Sequence, residues 1–148
     1  MDVFLNGWFW TNIVAPLGLP IAGLVPLKLL PLGPTVAPSV RFMAVVKDAQ
    51  LCWGAVAMGA SSFYEFWTAA SGQNTSVAKV GVLLLLIFIL TLMAMVLAAG
   101  ASAFSTELLT KPAGGLVAWC KHYTAFVGSL VLSSVSAAAY TALHFALA

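Results

Sequence analysis

The sequence predicts an all-α, polytopic integral membrane protein, a four-helix transmembrane bundle whose first helix is broken by proline. Three observations lead there. Val80 to Phe104 contains no charged residue and is nearly unbroken Leu, Ile, Phe and Met from Leu83 to Val96. As a helix it would be roughly 37 Å long, against about 30 Å of bilayer hydrocarbon. It also lacks the polar stripe that a helix packed on a soluble core shows. The whole chain of 148 residues is 62% apolar and only 7% charged, where soluble domains carry about 25% charged residues. So few charges cannot cover a water-facing surface. Finally, short polar or proline-containing segments cut the remaining apolar sequence into pieces of spanning length, giving one transmembrane domain over residues 1–148.

The first piece, about residues 8–30, opens on Trp8-Phe9-Trp10, an aromatic cluster of the kind found at headgroup level. Pro16, Pro20 and Pro26 follow, and each removes a backbone donor and crowds the carbonyl four residues back. Two arrangements fit: a kinked crossing, or a helical hairpin that enters the membrane and returns. The 25 uncharged residues between Asp2 and Lys28 favour the crossing. The opening Met-Asp-Val-Phe has no basic stretch and is expected not to be a cleaved signal.

The second span is expected over about 45–70, between Lys47-Asp48 and the aromatic Phe63-Tyr64-Glu65-Phe66-Trp67. A polar turn at 71–76 leads to the third, 78–104, and Pro112 with Gly114-Gly115 ends the next turn before the fourth, 117–146. Short connections make the four spans antiparallel neighbours. Five of the six basic residues, Lys28, Arg41, Lys47, Lys111 and Lys121, flank the first and third connections. This predicts those connections in the cytoplasm and both termini on the opposite side.

Two helix faces carry the chemistry. On the second span Asp48, Cys52, Ala55, Gly59, Ser62 and Glu65 recur at intervals of four and three; on the fourth, Ser129, Ser133, Ser136, Tyr140 and His144 do likewise. Ala94, Ala98 and Ser102 form a small-residue row on the third. Such faces serve as packing seams, where small residues admit close backbones and hydroxyls bond across helices. The alternative is a polar path through the bundle, ended by Glu65 and His144, which the antiparallel topology brings to the same end. There they would form a proton or cation relay, the imidazole changing charge near neutral pH. A Glu65 reaching into headgroup water is the plainer expectation for a carboxylate one turn inside the interface.

Other chemistry finds little support. Cys52 and Cys120 make no disulfide framework, and Cys52, Cys120, His122 and Asp48 lack metal-ligand spacing, so no metal and no cofactor is expected. The serines lie in helices without a nucleophile elbow, and six basic residues leave no nucleic-acid footprint. The expected partners are the lipid bilayer and either further copies of the chain or other subunits of a membrane complex. The expected function is contact within the membrane, as an accessory or assembly subunit or a protective binding partner. A small oligomeric channel or transporter is the alternative, and an intramembrane enzyme, without a convincing catalytic set, the third.

Overall fold

The computed structural model describes residues 7–22, 43, 46–70, 77–108 and 114–147, and its regular elements are all helical. Helix α1 comprises α-helical Gly7–Phe9, a π-helical turn at Trp10–Val14 and α-helical Ala15–Ala22. Then follow α2 (Cys52–Ala70), α3 (Val77–Ala103), α4 (Leu116–His122) and α5 (Thr124–Leu147). Two segments, Val80–Ala103 and Thr124–Leu147, are long and apolar enough to cross a membrane. The 19-residue α2 is less apolar, since it carries Ser61, Ser62, Tyr64, Glu65 and Thr68. Whether the chain crosses or turns back beyond Ala22 lies outside the described residues.

The π turn has a cause in the sequence. Pro16 has no N–H for the carbonyl of Asn12, and its ring crowds that carbonyl. The chain answers by widening one turn, so that Ala15 N–H donates to Trp10 O, a π-type bond that inserts one extra residue. Pro20 likewise leaves Pro16 O without its helical donor. That open carbonyl marks the closest approach of α2: a Cβ at Gly54 would stand 3.0 Å from both Pro16 O and Leu17 Cδ2.

Helices α2, α3 and α5 each pack against the other two, and α1 lies against α2. Contacts at the two ends fix their directions. Trp8 meets Glu65 near the end of α2 while Pro16 and Leu17 meet Gly54 near its start, so α1 and α2 are antiparallel. Ser133 bonds Leu51 O and His144 bonds Glu65, which makes α5 parallel to α2. Ser105 and Thr106, just past α3, bond Asp48, just ahead of α2, so α3 runs opposite to both.

The core is built on small residues. Ala55 and Gly59 on α2 and Ala94 and Ala98 on α3 are buried, and Thr91 sits against Gly59 so closely that no side chain fits between them. Close approach of this kind gains dispersion contacts between the two helices. Ser102 does not continue the row: it is exposed and donates to Ala98 O at 2.7 Å, while Ala101 takes the buried position. The opposite face of α3, including Leu85, Phe88, Leu92, Met93 and Val96, is exposed and wholly apolar.

Helix α2 starts at Cys52, later than the predicted 45, and Lys47 and Asp48 lie in turns ahead of it. Asp48 therefore does not share the α2 face. Its carboxylate ties this turn to the segment after α3, accepting from Ser105 Oγ and Thr106 N, each at 2.9 Å, and from Lys47 Nζ. Lys47 Nζ also reaches Ser105 Oγ at 2.7 Å. Burial by itself pushes the Asp48 carboxyl up, but the hydrogen bonds from Lys47, Thr106 and Ser105 outweigh it and hold the group below its ordinary value. The predicted fourth helix is broken at Tyr123, which leaves helical geometry with φ −98° and ψ 42°. Thr124 Oγ1 donates to Lys121 O at 2.7 Å, satisfying one of the carbonyls that the break opens.

Candidate functional site

Glu65, one turn before the end of α2, projects toward α1 and α5. Its Oε1 accepts the Trp8 indole N–H at 2.6 Å and the Tyr140 hydroxyl at 2.8 Å. Its Oε2 meets His144 Nδ1 at 3.0 Å. One carboxylate therefore gathers three donors from two neighbouring helices. Tyr140 is buried, whereas the Glu65 and His144 side chains keep 21% and 24% exposure, so the site is a dry pocket with one wet edge. The wet edge is an open pocket of about 270 Å³ lined by Glu65, Thr68, His144 and Leu147.

The aromatic rings brace this arrangement. Trp8 stacks on His144 with ring centroids 3.7 Å apart and planes 16° from parallel, and meets Tyr140 at 5.1 Å. Asn12, one turn beyond Trp8, donates to Trp8 O at 3.1 Å, and its Oδ1 lies 3.3 Å from the Tyr140 hydroxyl.

The π turn positions Trp8. Trp8 and Pro16 are eight positions apart, which a regular α-helix would separate by about 80° around its axis; one inserted residue reduces this to about 20°. Both therefore face α2, Trp8 at Glu65 and the Pro16 carbonyl at Gly54. Pro16→Ala supplies an N–H at position 16, should restore the regular turn, and should rotate Trp8 away from Glu65. The Trp8 indole N–H resonance in detergent-solubilised protein checks this. An unchanged, carboxylate-bonded resonance would mean that the turn has another origin.

The serine face behaves differently from a chain of hydroxyls. Ser62 Oγ donates to Met58 O at 2.7 Å, Ser129 to Phe126 O at 2.8 Å, and Ser133 crosses to Leu51 O at 2.8 Å. Ser136 Oγ is buried with no hydrogen-bond partner among the described residues. The hydroxyls of Ser62, Ser129 and Ser133 bond backbone carbonyls and not one another; Ser133 fastens α5 to the start of α2. Cys52 and Cys120 are both free, and the described residues contain no group of three His, Cys, Asp or Glu able to hold a metal. His122, grouped with them in the sequence, instead bonds Glu107 O at 2.8 Å.

Sequence reasoning brought Glu65 and His144 to one end and set Tyr140 on the same helix face as His144, but missed Trp8 and Asn12, reading the first as an interfacial aromatic. The available signal was Asn12 itself, an amide in an apolar helix and one turn from Trp8. Compared with known proteins, the chain matches no family model, and no curated protein and no solved structure is similar to it.

Proposed function

We propose that the chain is a four-span integral membrane protein acting by contact with other proteins inside the bilayer, as an accessory or assembly subunit or a protective partner. The observation that supports this reading is the outer face of α3. Leu85, Phe88, Leu92, Met93 and Val96 form an exposed apolar surface along the helix, larger than a soluble monomer tolerates and suited to lipid or another transmembrane helix. The polar groups of the Glu65 cluster are turned inward onto one another, as fits a fastening of the bundle. The mass and composition of the particle extracted in mild detergent test the reading. A stoichiometric unrelated partner is expected; a closed homo-oligomer with nothing else bound would count against it.

The span assignment has its own test. Single cysteines at Gly72 and Gly114 should label from opposite sides of the membrane, with Gly72 outside, as the distribution of basic residues implies. Labelling from the same side would remove the four-span topology.

The contact of Glu65 with His144 beside an open pocket favours one second reading, a small oligomeric transporter or channel for protons or cations. On that reading Glu65→Gln abolishes pH-dependent flux into liposomes while the oligomer survives. Absence of flux through the native protein would dismiss it.

A further inference from the structure

We propose that the pocket beside Glu65 and His144 is a binding site for a small primary ammonium ion. The inference goes beyond membrane contact and does not depend on it. It starts from which acceptors the cluster leaves open. Among the described residues Glu65 Oε1 is filled by two donors, Trp8 and Tyr140, whereas Oε2 receives only His144 Nδ1. A carboxylate oxygen accepts two hydrogen bonds, so Oε2 keeps one position. With Nδ1–H turned to Glu65, the ring's Nε2 is an acceptor, and no described residue bonds it. Both atoms belong to residues lining the pocket, and Leu147 supplies an apolar wall.

A site that presents two acceptors, one of them anionic, selects a cation with N–H donors. Among the described residues no Lys or Arg pairs with Glu65, and the groups bonded to it are Trp8 from α1 and Tyr140 and His144 from α5. At about 270 Å³ the pocket is too large for a bare metal ion and fits an ammonium group on a short alkyl chain.

Calorimetric titration of the detergent-purified protein with ethylammonium chloride tests the proposal, with tetraethylammonium and sodium chloride as the comparison cations. Ethylammonium should give saturable heat. Tetraethylammonium lacks N–H donors and should not compete. Glu65→Gln should weaken binding about tenfold or more. His144→Phe keeps a ring stacked on Trp8 but removes the acceptor, so it should weaken binding even where Glu65→Gln fails to fold. No saturable heat with ethylammonium, or equal competition by tetraethylammonium or sodium, would overturn the assignment.

Discussion

Gly59→Ala should leave little folded protein, although it adds a single methyl group. The Cβ it introduces would stand 2.1 Å from Thr91 Oγ1 and 3.1 Å from Thr91 Cβ and Cγ2. The first distance is far inside van der Waals contact. Turning Thr91 away would break the 2.8 Å bond from its hydroxyl to Ile87 O and leave the 3.1 Å approach to Cβ unchanged. The remaining response is to move α2 and α3 apart along a seam where Ala55, Ala94 and Ala98 are almost fully buried. Overpacking in a tight core costs about 1–3 kcal/mol and sometimes more, and loss of the whole seam lies at the upper end. Gly59→Leu should be worse still. Two comparisons keep the result specific. Leu85→Ala, on the exposed face of α3, should yield nearly as much folded protein as the native chain. Gly59→Ala with Thr91→Ala removes the 2.1 Å clash and should recover most of the loss. Size-exclusion profiles and thermal stability in detergent report all of these. Equal yields for Gly59→Ala and Leu85→Ala would mean that α2 and α3 do not meet through this face.

Glu65→Leu should detach α1 from the bundle and lower stability by about 2–4 kcal/mol. The reason is asymmetry: the substitution removes one acceptor group and leaves the Trp8 N–H, the Tyr140 hydroxyl and the His144 ring without the oxygens they bond. Glu65→Gln keeps one carbonyl oxygen, with the size and shape of the side chain, and should cost less. A double-mutant cycle decides whether the cluster acts as a unit. Trp8→Phe should destabilise the native protein by about 1–2 kcal/mol and add little on the Glu65→Leu background, a coupling expected only for residues that share a partner. Additive effects, measured by thermal or detergent denaturation, would show that Trp8 stabilises α1 by other contacts.

Much of the architecture is written in local sequence. Val80–Ala103 is helical because its run of Leu, Ile and Met satisfies helix propensity and contains no charged residue. Gly114 and Gly115 stop helix propagation ahead of α4, whereas the turn at Asp48 carries no Gly or Pro and reads as helix in the sequence. The period of the polar residues put Glu65 and the Ser129–His144 face on predictable sides of their helices, and short connections brought Glu65 and His144 to one end. What periodicity cannot supply is the depth and rotation of one helix against another. Sequence spacing set Gly59 on the small-residue face, but only packing revealed Thr91 as the residue it admits. The same holds for the first helix. Its prolines announce a break, yet whether the break kinks the helix or inserts a π turn depends on what the neighbouring helix accepts. Here the turn is widened, Gly54 receives the Pro16 carbonyl, and Trp8 arrives on Glu65. Local sequence determined where helices form and which residues share a face, because those follow from backbone hydrogen bonding and the 3.6-residue period. Only the tertiary structure decided which partners those faces meet, because contact between helices is settled at fractions of an ångström by side chains far apart in the chain.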